Sequence, residues 1–154
     1  MRERESYLLV VDASVARAAG ETIHPVSRCC RETLESILRI CHRVMMTPAL
    51  SDEWKRNESR FARRWLMSMY ARRKVIRIEM PSFSFRIEEA ANLKENECEA
   101  LIKDKHLIEL SMEGDGIIYS IDDTVAKIWD KCYKKINAPK IISWKNPTKE
   151  NPFE

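Results

Sequence analysis

Glycine is nearly absent. Only Gly20, Gly114 and Gly116 occur in 154 residues, which excludes a glycine-rich phosphate loop and a dinucleotide fingerprint. No apolar run approaches the length of a membrane span, and the opening Met1-Arg2-Glu3-Arg4-Glu5 is too charged for a signal peptide. The five cysteines (Cys29, Cys30, Cys41, Cys98, Cys132) are odd in number and lack Cys-x-x-Cys spacing. Reduced thiols in a cytoplasmic protein fit this pattern; a zinc knuckle does not. No local Cys/His arrangement suggests a nucleophilic cysteine. Internal repeats and domain linkers are missing too, so the length accommodates one domain with a proper core.

What is present is charge, unevenly spread. The net charge is +3, yet the chain from Lys55 to Arg77 holds nine Lys/Arg residues and one acid, Glu58. From Glu88 to Asp123 there are eleven acids and three lysines. A basic face beside an acidic one suits a protein that grips phosphates with one and holds a cation with the other. Two solvated helix faces would give the same counts.

Hydrophobic patterning sets the architecture. Tyr7 to Val11 reads as a buried strand, followed by a short alanine-rich helix interrupted by Pro25. Leu34, Ile37, Leu38 and Cys41 give an amphipathic helix over Arg31 to His42, with Cys29-Cys30 as apolar packing before it. Val44 to Thr47 is a second strand. Ser51 is an N-cap candidate for one long basic helix from Glu53 to Arg72, with Asp52 and Glu53 in its first turn. Lys74 to Phe85 reads as a loop with some extended structure. Helix-favouring sequence runs from Glu88 to Glu113 with a break expected near Asp104, and Gly114 ends it. Ile117 to Ile121 is a third strand, Thr124 to Lys135 a helix and Lys140 to Trp144 a last strand. Residues 146–154 form an expected mobile tail. The order β-α-β-α-α-β-α-β implies a three-layer α/β/α sandwich with a mostly parallel sheet.

In such a sheet ligands bind outside the carboxyl ends of the strands. Four acids stand at element ends where they can meet there: Asp12 after strand one, Glu53 after strand two, Asp104 opening a helix and Asp122 after strand three. Crowded carboxylates are unfavourable unless a cation neutralises them. Hard oxygen ligands in that number suit Mg²⁺ or Mn²⁺, which can activate water for phosphodiester cleavage. Taken singly, Glu53 and Asp104 are equally helix-start acids, and Asp122 or Asp123 equally a cap for the helix at Thr124. Which of Asp122 and Asp123 points inward stays open.

These segments resemble the PIN-domain ribonucleases, whose best-known members are VapC-type toxins of bacteria and archaea. The resemblance runs from about Tyr7 to Trp144, within a domain spanning 1–145. It rests on Leu8-Leu9-Val10-Val11-Asp12-Ala13-Ser14, on Glu53 soon after the second strand, and on Asp104 followed by Ser120-Ile121-Asp122. It implies a PIN-like fold and a Mg²⁺/Mn²⁺-dependent endoribonuclease in which Asp12, Glu53, Asp104 and Asp122 bind metal, with Asp123 as the alternative to Asp122. Ser14 and Ser120 then orient a carboxylate or a metal-bound water. RNA is the implied partner, or single-stranded DNA; an antitoxin protein and a homodimer are the protein partners.

Arg56, Arg60, Arg63, Arg64, Arg72 and Arg73 form the pool for RNA or partner contacts. Trp54, Phe61 and Trp65 fit a core stripe, with Tyr70 the residue best suited to stack on a base. His106 reads as a surface residue or a support for a ligand rather than a ligand itself. The rivals are a PIN-like nucleic-acid-binding or scaffolding subunit without nuclease activity, and an acidic-site phosphatase. The latter is weakened because Asp12-Ala13-Ser14 lacks an Asp-x-Asp pair.

Overall fold

The computed structural model describes residues 6–90 and 92–149. Its core is built on short apolar runs, each too uniformly hydrophobic to leave a face in water. β1 (Leu8–Val11) and β2 (Arg43–Met46) each bury three of four residues. β3 (Val75–Arg77), β4 (Ile117–Tyr119) and β5 (Ser143–Lys145) complete one sheet in the order β3-β2-β1-β4-β5. All four pairings are parallel, with Leu9 opposite Val44 and Val10 opposite Ile118.

Parallel neighbours need crossover helices. α1 (Ala13–Ala18), α2 (Pro25–Ile40), α3 (Pro48–Asn57) and α4 (Arg60–Ala71) link β1 to β2 and β2 to β3, and pack on one another. α5 (Glu95–Ser111) and α6 (Thr124–Ile136) pack together, and α5 lies against β1 and β4. The result is the expected α/β/α sandwich with an all-parallel sheet. The chain leaves β1 in one direction for β2 and β3, then crosses to β4 and β5 on the other side. The carboxyl ends of β1 and β4 therefore flank a switch point, where such sheets open a crevice. Entry into β4 turns on Gly116 at φ 70°, where a Cβ would meet the Ile141 carbonyl oxygen at 2.8 Å.

Several expected boundaries move. Pro25 does not interrupt a helix; it starts α2, so Cys29 and Cys30 lie inside that helix. The single helix expected from Glu53 to Arg72 is two. Thr47 caps α3 by accepting from the Leu50 amide at 3.1 Å, with Pro48 in its first turn. Glu58 is then extended, and Ser59 starts α4 by accepting from the Ala62 amide at 3.0 Å. Glu53 therefore sits mid-helix. α5 runs through Asp104 without the expected break. The extended structure expected within the loop after Lys74 is β3.

The start of the expected tail is packed. Buried Asn146 donates to the Ile121 carbonyl at 3.1 Å and to Asp123 Oδ1 at 3.0 Å. The rest of that tail, 150–154, lies outside the described residues. Among the described residues no helix is long and apolar enough to cross a membrane.

Candidate active site

β1 delivers Asp12 directly to the crevice. Asp12 is 8% exposed, and its backbone amide donates to the Tyr119 carbonyl at 2.9 Å, fastening the ends of β1 and β4 together. Asp12 stands at the N-cap of α1 without capping through its side chain. Its Oδ2 instead accepts from Ser14 Oγ at 2.7 Å and from Ser120 Oγ at 3.0 Å. Each hydroxyl accepts in turn from the turn after β4: Ser14 Oγ from the Ile121 amide at 3.4 Å, Ser120 Oγ from the Asp122 amide at 3.2 Å. Two neutral hydroxyl donors orient this carboxyl group but bring it no positive charge.

That lattice makes Ser120 a testable support. Removing a group that orients a ligand typically weakens metal binding about tenfold to a hundredfold. Ser120→Ala is expected to lose Mn²⁺ affinity on that scale in calorimetric titration, with the circular dichroism of wild type. Unchanged affinity would leave the hydroxyl without an orienting role.

The other acids arrive on helices. α3 brings Glu53, α5 brings Asp104, and the turn before α6 brings Asp122. With Asp12 they line one open cleft of about 580 Å³. Asp122 is exposed, and its Oδ1 also accepts from the Thr124 amide at 2.9 Å, supporting the start of α6. Burial pushes the Asp104 carboxyl up to about 6, helped by the negative charges of Asp12 and Glu53 and opposed by Lys103 and His106. Asp104 thus lies within electrostatic reach of two other carboxylates across the cleft.

His106 completes the arrangement from α5. Its Nε2 meets Glu53 Oε1 at 3.1 Å, and since a carboxylate only accepts, Nε2 carries the proton. Its Nδ1 is buried without a hydrogen-bond partner among the described residues. The residue read from the sequence as a surface or supporting histidine is thus a partly buried one held against Glu53.

Asp123 is not part of this cleft. It turns to the other side, where Lys149 and then Asn146 hold its carboxyl below the usual range. Of the arginine pool only Arg56 lines the cleft; Arg64 pairs with Glu21 at the surface, and Arg60, Arg72 and Arg73 are exposed elsewhere. Arg17 and Lys103 join Arg56 at the acids, and sequence reading missed both. The signal existed: Arg17 lies one helical turn after Ser14, and Lys103 precedes Asp104.

The donor set of hard carboxylate oxygens fits Mg²⁺ or Mn²⁺ rather than a soft metal. Among the described residues no three His, Cys, Asp or Glu side chains close into a ready-made ligand cage. The acids instead ring an open space, the setting in which Mg²⁺ keeps several of its waters. A comparison with protein-family models finds no match for the chain, and none of the curated proteins compared matches it.

Proposed function

We propose that the chain is a PIN-like, metal-dependent endoribonuclease that hydrolyses phosphodiester bonds in RNA. One observation carries this reading: Asp12, Glu53, Asp104 and Asp122, from four separate elements, line a single cleft at the carboxyl edge of a parallel sheet. A bound Mg²⁺ or Mn²⁺ would supply a water of lowered pKa and stabilise the leaving oxygen. Asp12 is held ready by its two hydroxyl donors, and Glu53 by His106. Arg17, Arg56 and Lys103 offer the scissile phosphate and its neighbours positive charge at the rim. The cysteines described are all free, which suits a reducing compartment such as the cytoplasm.

The test is cleavage of a labelled single-stranded RNA by purified protein with Mn²⁺, with and without chelator. Cleavage should stop with chelator. Asp122→Asn should slow it about a hundredfold to a thousandfold, the scale of losing one electrostatic stabiliser of a transition state. Metal-loaded wild type that cuts neither RNA nor single-stranded DNA would refute the nuclease reading.

A further inference from the structure

A second groove, of about 510 Å³, lies on the opposite flank of α3 from the acidic cleft. At 3.6 residues per turn, Glu53, Arg56 and Asn57 fall on one side of this helix and Ser51 and Lys55 on the other, with Glu58 just past its end. The first three line the cleft and the last three the groove. The far wall of the groove is a stripe of α4 at helical spacing, Arg63, Leu66, Met67 and Tyr70, and β3 adds Arg77.

This stripe is not the core face of α4, which is Ala62, Trp65 and Met69. Met67 is 62% exposed and Tyr70 41%. Lys55, Arg63 and Arg77 meet a single acid there, Glu58, and make no side-chain ion pair among the described residues. Unsatisfied cations around a half-exposed aromatic ring are complementary to a ligand that is anionic and flat together. The volume is that of a small-ligand site. A protein partner would require a broader apolar surface than Met67, the edge of Tyr70 and the half-buried Leu66 offer.

We propose that this groove is a nucleotide subsite for single-stranded RNA. One base stacks on Tyr70, Lys55, Arg63 and Arg77 take the flanking phosphates, and the strand crosses α3 beside Arg56 into the cleft. Its position relative to the cut rests on the cleft being the cutting site; base binding in the groove does not. A helix with its side chains is about 10–12 Å across, roughly three nucleotides at stacked spacing. A base lying on Tyr70 is unpaired, so the substrate is single-stranded at that point and duplex RNA is refused.

The experiment is fluorescence anisotropy with the full chain and chelator, using a labelled octauridylate against a diuridylate too short to span α3. Base–aromatic stacking contributes about 1–3 kcal/mol, so Tyr70→Ala should weaken the octamer roughly fivefold to a hundredfold and weaken whatever binding the dimer shows in the groove as well. Tyr70→Trp should restore octamer binding. Replacing Arg63 and Arg77 by Ala should flatten the octamer's salt slope by about 1.4, two single-strand phosphate contacts. Octamer affinity and slope that survive all of these changes would overturn the subsite. So would variants that keep RNA binding but dissociate a homodimer or a bound protein. Metal-loaded wild type that fails to cut, while Tyr70→Ala still loses octamer binding, would remove the nuclease reading and support the subsite.

Discussion

Asp104→Asn is expected to raise the melting temperature of the metal-free protein at neutral pH, and at the same time to abolish its stabilisation by Mn²⁺. Burial, then Asp12 and Glu53, push the Asp104 carboxyl from 3.8 up to about 6. The folded value lies above the unfolded one, so the native state holds this proton more tightly. The contribution to metal-free stability is fully present below about 3.8, is lost as the pH rises, and is gone above about 6. Discounted for its partial exposure, the loss is on the order of 1–2 kcal/mol. At roughly 2–4 °C per kcal/mol for a chain near this size, that is a measurable shift. Asparagine has no charge to bury, so the variant should show little change between about pH 4 and pH 6, where wild type loses stability. Mn²⁺ at a hundred times its dissociation constant should return about 2.7 kcal/mol to wild type only. Parallel stability profiles for the two proteins, with or without Mn²⁺, would remove Asp104 from any metal site.

The residues behind that prediction were legible in unequal degree. β1 and Asp12 could be read directly, because four consecutive apolar residues followed by a carboxylate describe a doubly buried strand and its end. The β4 turn was legible for the same reason. The helix starts were not, and both errors share a cause. Pro25 and Pro48 look like interruptions, yet a proline in the first turn forfeits no helical hydrogen bond, and each begins a helix here. Reading Pro48 that way would have placed Glu53 mid-helix. Ser59 resets the chain between α3 and α4 although the apolar spacing runs on across it. A helical period does not report such a break; a cap does. Asp104 sits unbroken within α5 because Leu101, Leu107 and Ile108 bury the same helix on either side of it. The division between Asp122 and Asp123 depended on Asn146 and Lys149, more than twenty residues downstream. No local pattern carries that information.

Trp54 is expected to be the residue through which the fold holds two of the acids in step. It follows Glu53, is 1% exposed and stacks on Trp65 with ring centroids 5.9 Å apart. Its indole Nε1 donates to the Val11 carbonyl at 2.9 Å, the residue immediately before Asp12. One side chain thus ties the α3 turn carrying Glu53 to the strand end carrying Asp12. Trp54→Ala removes this packing and should lower the unfolding free energy by about 3–5 kcal/mol, a large share of the roughly 5–15 kcal/mol of a typical domain. Trp54→Phe separates the two roles of the indole. It keeps an aromatic ring in the core but removes the indole's donation to the Val11 carbonyl, at a cost of about 1–3 kcal/mol. Because the lost bond lies between the two acids, Mn²⁺ affinity and RNA cleavage should fall together at temperatures where the variant is fully folded. Urea unfolding gives the first quantity and calorimetric titration the second. If Trp54→Phe loses stability and binds Mn²⁺ as wild type does, the indole is core packing alone and the spacing of Asp12 and Glu53 is set elsewhere.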